Sequence, residues 1–103
     1  MKRYRFHREA LDEYAAARQW YMEVPEVSRA FIDSVERAIR KIRRFPRAAA
    51  RVPGQSAEEI RRHVLRRFPY TIVYLVDPDE IFIVAVAHVR RLPGYWAGRL
   101  KKR

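Results

Sequence analysis

Two neighbouring segments near the C-terminal end constrain the fold more than any other feature of this sequence. Residues 70–76 (YTIVYLV) and residues 81–89 (IFIVAVAHV) place β-branched and aromatic side chains on both alternating faces. The sequence DPDE at residues 77–80 lies between them and has the proline and acidic residues of a tight turn. This pattern predicts a β-hairpin whose two faces are both apolar, so both must be covered.

Two further strands are predicted outside the hairpin. In residues 2–7 the aromatic Tyr4 and Phe6 alternate with Arg3 and Arg5, which indicates a short, half-buried strand. Residues 60–66 form the other predicted strand, directly before the hairpin. A loop containing the dipeptide PG is predicted over residues 47–59.

Two helices are predicted between the first strand and the loop. Residues 8–23 have a helical pattern, with Leu11, Tyr14 and Ala15 near one face. Pro25 interrupts this helix and starts a second one over residues 25–44, because proline suits a first helical turn. The second helix has one apolar stripe, spaced four, three, four and three residues, which consists of Phe31, Val35, Ala38, Ile42 and Phe45.

The predicted fold class is therefore α+β, in the order β-α-α-β-β-β, as a single domain over residues 1–103. The two helices are expected to form an antiparallel hairpin on one face of a mostly antiparallel sheet. The other face must meet the C-terminal tail, a second copy of the chain or another protein, since large apolar surfaces are rarely left bare. Residues 93–103 are interpreted as either a helical turn or a basic tail.

The charge of the chain is strongly positive and unevenly distributed. Lys and Arg number 23 against 12 Asp and Glu, for a formal net charge of +11, and 19 of the basic residues are arginine. Residues 37–57, 60–76 and 81–103 contain no acidic residue. Such segregation predicts a positive field over part of the surface, which attracts a polyanion or an acidic protein. The end of the second helix is expected to bind nucleic acid without sequence preference.

Several classes of protein are excluded or disfavoured by composition. The chain has no cysteine, which excludes disulfide scaffolds and cysteine nucleophiles. No apolar run reaches the roughly 20 residues of a spanning helix, and residues 1–14 do not have a secretory signal pattern. A cytoplasmic location is expected, without a membrane partner. No metal or other cofactor is expected, because the three histidines are scattered and no acidic cluster accompanies them.

The last third of the chain resembles the RelE/ParE toxin family, long labelled plasmid stabilisation proteins. The resemblance is carried by RRHVLRRFPYTIVY at residues 61–74 and AHVRRLPGYW at residues 87–96, and in length, element order and charge it covers nearly the whole chain. It implies the growth-inhibiting toxin of a type II toxin–antitoxin pair, bound by a cognate acidic antitoxin. A homodimer or a toxin–antitoxin heterotetramer are the alternative assemblies.

The resemblance leaves two targets open. ParE-like members act on DNA gyrase without being enzymes, and RelE-like members cut messenger RNA on the ribosome. RNA cleavage needs a general base, and arginine is a poor base because it stays protonated. RelE carries lysines in this region, whereas this chain has no lysine between Lys41 and Lys101. A ParE-like action on gyrase is therefore preferred, and the ribosome-dependent endoribonuclease is the alternative.

Candidate site residues follow from this choice. If the chain is a nuclease, arginines could hold the phosphate, a histidine could transfer the proton and an aromatic ring could stack on a base. The catalytic candidates in that case are His88, Arg90, Arg66, Arg61 and Tyr95. The candidates for binding nucleic acid or a target are Arg62, Arg67, Arg91, Trp96 and Arg99. His63 is a second histidine candidate, and His7 is interpreted as a capping or surface residue.

Overall fold

The computed structural model describes residues 1–54 and 59–102, and its order of elements confirms the predicted α+β fold. The elements are β1 (Arg3–Phe6), α1 (Arg8–Tyr21), α2 (Pro25–Arg44), β2 (Ile60–Val64), β3 (Tyr70–Val76), β4 (Glu80–His88) and a C-terminal 3₁₀ helix (Ala97–Lys102). Part of the predicted loop, residues 55–58, lies outside the described residues. Strand ends differ from the prediction by one or two residues, which is the usual uncertainty of such limits.

Local hydrogen bonds set the limits of the two helices. The Glu9 amide donates a hydrogen bond to His7 Nδ1 at 3.0 Å, so His7 is the N-cap of α1, as predicted. The helix ends at Tyr21, two residues earlier than predicted, because the Met22 and Val24 amides bond back to Gln19 O and Tyr21 O at 3.2 Å. Pro25 then starts α2.

The four strands form one mixed sheet in the order β1-β4-β3-β2. β1 pairs with β4 in parallel, whereas β3 pairs with both β4 and β2 in antiparallel orientation. A register shift between Val73 and Tyr74 pairs these residues with Ala85 and Ile83, so Val84 is an extra residue in β4. In this strand order the two central strands are β4 and β3, the segments that are apolar on both faces.

The helices cover one face of the sheet. Phe31, Val35, Ala38 and Ile42 are buried there as predicted, but Phe45 is 56% exposed. Phe45 follows the last helical residue and its backbone is not helical, so the apolar stripe does not extend to it. The first core consists of residues from both helices and the sheet: Ala10, Ala17, Phe31, Val35, Ala38, Ile39, Ile42, Leu65, Phe68, Ile72, Tyr74, Val76, Ile81 and Ile83.

The prediction of which face of α1 is buried was partly wrong. Leu11 is 51% exposed and Ala15 is exposed, whereas Ala10 and Ala17 are buried at 0% and 2%. Small side chains at positions ten and seventeen let the helix backbone approach β4 closely, so the contact face is rotated away from Leu11.

The C-terminal segment, residues 92–102, covers the other face of the sheet. The sequence left three possibilities for covering this face: the C-terminal tail, a second copy of the chain or another protein. In the described residues, the C-terminal tail covers it. The second core consists of Ile60, Val73, Leu75, Phe82, Val84, Ala85 and Trp96, with Tyr95, Ala97 and Leu100 packed against it. Gly94 has φ +78°, in the left-handed region, where it turns the chain back over the sheet. In the described ranges, up to residue 54 and from 59 to 102, no helix is long and apolar enough to cross a membrane.

Candidate functional site

A carboxylate in the middle of α1 ties this helix to β4 and to the C-terminal segment. Glu13 Oε1 accepts hydrogen bonds from the Val86 amide at 3.0 Å and from Arg99 Nη1 at 2.9 Å. Glu13 Oε2 accepts from the Tyr95 hydroxyl at 2.5 Å and from Arg99 Nη2 at 2.9 Å. The side chains of Glu13 and Arg99 are only 15% and 10% exposed. We refer to Glu13, Tyr95 and Arg99 as the Glu13 network.

The Glu13 network has well-defined protonation states. Burial opposes ionisation of Glu13, but the donors on Arg99, Tyr95 and the Val86 amide outweigh it and hold the pKa of Glu13 below its usual 4.5. Burial and the bond to the Glu13 carboxylate raise the pKa of Tyr95 far above its usual 10.0. At neutral pH Glu13 is ionised, Tyr95 keeps its proton and Arg99 is charged. The network therefore connects α1, β4 and the C-terminal segment, and none of its three side chains changes protonation near neutral pH.

A pocket of about 480 Å³ opens beside this network, between α1 and the ends of β3 and β4. We call it the α1 pocket. Its side chains of chemical interest are Glu13, Tyr70, His88, Arg90, Arg91 and Tyr95. Trp20, which is 79% exposed, lies at the α1 side of the pocket. Four sequence candidates, His88, Arg90, Arg91 and Tyr95, are thus brought together in one place.

His88 ends β4 and is held by two contacts. The Arg90 amide donates a hydrogen bond to His88 Nδ1 at 3.0 Å. The His88 ring contacts the Tyr70 ring edge-on, with ring centroids 5.1 Å apart. An accepting Nδ1 carries no proton, so in the neutral ring the proton lies on Nε2. In this conformation the Nδ1 lone pair is therefore engaged by a backbone amide.

The two arginines after β4 differ in how they are held. Arg91 lies over the Tyr95 ring, with its guanidinium carbon 3.8 Å from the ring centroid, and its Nη1 is 3.7 Å from Glu13 Oε2. Arg90 is exposed. The Arg91 side chain is still 53% exposed, so both arginines present positive charge at the α1 pocket.

A second depression, of about 290 Å³, lies on the other face of the sheet, beside the C-terminal segment. It contains the predicted target-binding residue Arg62, which is exposed, together with Val64 and Leu92. His88, Arg91 and Tyr95 border both this depression and the α1 pocket. The two depressions therefore meet at the end of β4.

A third depression, of about 510 Å³, lies between α2 and β2, and we call it the α2 groove. The predicted residues Arg66 and Arg67 line it, because β2 ends at Val64 and both arginines fall in the turn that follows. His63 also lines this groove, where burial and the charge of Lys41 lower the pKa of His63.

Three of the predicted site residues are engaged in the fold itself. Arg61 Nε donates to Glu59 Oε2 at 2.9 Å and its Nη1 donates to Ala49 O at 2.6 Å, and its side chain is 15% exposed. Arg99 belongs to the Glu13 network, and Trp96 is 4% exposed in the second core. The structure therefore does not gather the predicted arginines into a single phosphate cradle: Arg61 is anchored, Arg66 and Arg67 line the α2 groove, and Arg90 and Arg91 border the α1 pocket.

Sequence reasoning missed Glu13, Trp20 and Tyr70 as parts of the site. A signal for Glu13 existed, since it is spaced three residues from Ala10 and four from Ala17 and so shares their helix face. An acidic residue on a buried helix face requires a partner of opposite charge. Nothing in the sequence indicated that Arg99 would be that partner.

Comparison with known proteins agrees with the fold and the element order. Residues 4–93 match the family described as the ParE toxin of the type II toxin–antitoxin system parDE. A search of curated proteins found no match. Among solved structures, one titled chromosomal ParDE TA system from P. aeruginosa matches with a TM-score of 0.69 and 19% identity, over 85% of this chain and 96% of the other. Because the family match covers most of the chain, this protein belongs to the ParE toxin family of type II toxin–antitoxin systems.

Proposed function

We propose that this toxin inhibits growth by binding DNA gyrase and that it is not a nuclease. The observation that carries the proposal is the hydrogen bond between the Arg90 amide and His88 Nδ1. It engages one of the two ring nitrogens through which His88 could act as a general base. Membership of the ParE family supports the same choice.

The other groups around the α1 pocket do not supply the missing base. Cleavage of RNA through its 2′-hydroxyl needs a base for that hydroxyl and an acid for the leaving oxygen. Glu13 accepts four hydrogen bonds and has a lowered pKa, and Tyr95 donates to Glu13 and has a raised pKa. Both groups are poorly matched to proton transfer at neutral pH, so binding rather than catalysis fits the pocket.

The exposed side chains near the end of β4 suit a protein target. Trp20 and Leu92 are 79% and 80% exposed, and Arg62, Arg90 and Arg91 are exposed beside them in the two depressions that meet there. Tryptophan and arginine are enriched among the residues that carry most of the energy of protein interfaces. We propose that this surface contacts gyrase and that the toxin acts in the cytoplasm.

The ribosome-dependent endoribonuclease remains the second candidate, favoured by one observation. Arg90 and Arg91 lie in the same pocket as the aromatic rings of Tyr70 and Tyr95. Arginines that hold a phosphate beside rings that stack on bases would suit a bound RNA strand.

We further propose a cognate acidic antitoxin as the partner that silences the toxin. The matched P. aeruginosa structure is titled as a toxin–antitoxin system, which supports an antitoxin partner for this chain. The net charge of +11 favours an acidic one. Assembly as a heterotetramer with the antitoxin, or as a homodimer, follows the same expectation from the family. Neither mode of action requires a cofactor.

The test compares the two activities with purified protein. We expect inhibition of gyrase supercoiling and no cleavage of ribosome-bound messenger RNA. His88→Ala should remain toxic in cells, because the toxin does not depend on a catalytic histidine. Arg90→Ala combined with Arg91→Ala should reduce inhibition of gyrase about 30-fold, since interface hot spots cost about 2 kcal/mol or more. The matched control is Arg8→Ala combined with Arg29→Ala, two exposed arginines outside the pockets. Messenger cleavage that His88→Ala abolishes would contradict the proposal.

A further inference from the structure

The α2 groove has a composition unlike the other depressions. Its lining contains four exposed cationic side chains: Arg37, Lys41, Arg66 and Arg67. Arg37 and Lys41 are one helical turn apart on the same face of α2, and Arg66 and Arg67 face them from the β2–β3 turn. In residues 1–54 and 59–102, none of these four cations forms an ion pair with a carboxylate.

The lining also lacks the side chains that would suit other ligands. Its remaining residues are Ser34, Ala38, His63, Val64 and Leu65. Its only aromatic ring is the half-buried imidazole of His63, so no Phe, Tyr or Trp lines the groove for an unpaired base, and no Asn or Gln could read a base edge. Of the apolar residues, Leu65 and Ala38 are buried, so only Val64, 60% exposed, offers an anchor for a protein. A hydroxyl and four cations are the groups that commonly contact phosphate.

From this lining we propose that the α2 groove binds the phosphate backbone of double-stranded nucleic acid, without reading its sequence. A duplex presents phosphates at a higher density than a single strand, and its paired bases do not need the Phe, Tyr or Trp rings that the groove lacks. DNA and RNA duplexes share this backbone chemistry. The site is separate from the α1 pocket and does not depend on gyrase being the target.

The cationic side chains of this groove repel one another, and an anionic ligand would reduce this repulsion. Burial and, after it, the charge of Lys41 lower the pKa of His63, as expected where cationic groups lie close together. A polyanion that neutralises them releases its own bound counterions, and this release drives association at low salt. Binding should therefore weaken steeply as salt concentration rises.

The experiment measures binding of a labelled 20-base-pair DNA duplex, an RNA duplex of the same length and a single strand, each across a range of salt concentrations. Each neutralised phosphate contributes about 0.9 to the slope of log affinity against log salt on a duplex and about 0.7 on a single strand. We expect Arg37→Gln with Lys41→Gln, and separately Arg66→Gln with Arg67→Gln, each to lower the duplex slope by about 1.8. Equal binding of the two duplexes identifies the backbone alone as the ligand, and a preference identifies which nucleic acid the groove takes.

The matched control is Arg8→Gln with Arg29→Gln, which removes the same charge from exposed positions outside the α2 groove. Circular dichroism should show that all three variants are folded. Equal loss of slope in the control and groove variants would show a diffuse charge effect and overturn the site. Tighter binding of the single strand would overturn the assignment to a duplex. If the groove variants weaken binding of an acidic peptide but not of the duplexes, the groove is a protein site and the proposal fails.

Discussion

At the scale of single residues, Glu13 is the charged residue with the largest predicted effect on stability. We expect Glu13→Gln to lower the free energy of unfolding by about 2–3 kcal/mol, because a nearly buried Arg99 then loses its buried carboxylate partner and keeps only the exposed Glu9. Urea denaturation measures the change. Glu9→Gln is the matched control, since Glu9 is 62% exposed and lies 3.3 Å from the same guanidinium. It should cost less than about 1 kcal/mol. Equal losses in the two variants would show that the buried geometry of Glu13 has no special role.

The pH dependence of stability also follows from Glu13. Its pKa is lower in the folded state than the usual 4.5, so its contribution is complete above pH 4.5 and is lost as the pH falls through the folded pKa. The free energy of unfolding should therefore fall below pH 4.5, and the difference between the unchanged protein and Glu13→Gln should shrink there. Some slope should remain in the variant, because Arg47 and Arg61 also lower the pKa of Glu59. A constant difference from pH 7 to pH 3 would contradict this prediction.

At the scale of elements, the C-terminal segment decides whether the hairpin β3–β4 has one covered face or two. Trp96 is its main anchor, packed at 4% exposure against the second core. We expect Trp96→Ala to lower the free energy of unfolding by about 3–5 kcal/mol, as for other buried aromatic residues. Trp20→Ala, at a residue that is 79% exposed, should change it by less than about 0.5 kcal/mol. Thermal and urea unfolding would show the contrast. A small effect of Trp96→Ala would mean that the segment is not part of the core.

At the scale of the whole molecule, the positive charge should control how fast the toxin meets an acidic antitoxin. Arg66→Glu combined with Arg90→Glu should reduce the association rate about 10-fold at low salt and make it less dependent on salt, with a smaller change in the dissociation rate. Stopped-flow mixing with the antitoxin measures both rates. Arg8→Glu with Arg29→Glu changes the net charge equally, and it should have the weaker effect. Equal effects would show that net charge, and not the local field, governs association.

The order of elements was accessible from sequence because each signal is local. The first strand, the stripe on α2 and the turn at residues 77–80 arise from neighbours in the chain, and all three elements appear in the structure. The burial predicted for them was wrong at two residues, since Tyr4 is 41% exposed and Phe45 is 56% exposed. The family resemblance in the last third was likewise readable and is confirmed by the match over residues 4–93. Even the need for cover on a second face of β3 and β4 followed from their pattern of apolar residues.

What the sequence determined by itself was thus the fold class, the two apolar faces of the central strands, the positive surface and the family. Only the tertiary structure decided which charged residues remain free. Glu13 and Arg99 are 86 residues apart, and they meet because the tail folds back over the sheet and reaches α1. Arg61 and Arg66 look alike in sequence, but one is anchored to Glu59 and the other lines the α2 groove. A charged side chain gains or loses its availability through partners that are distant in the chain, and no local pattern records such partners.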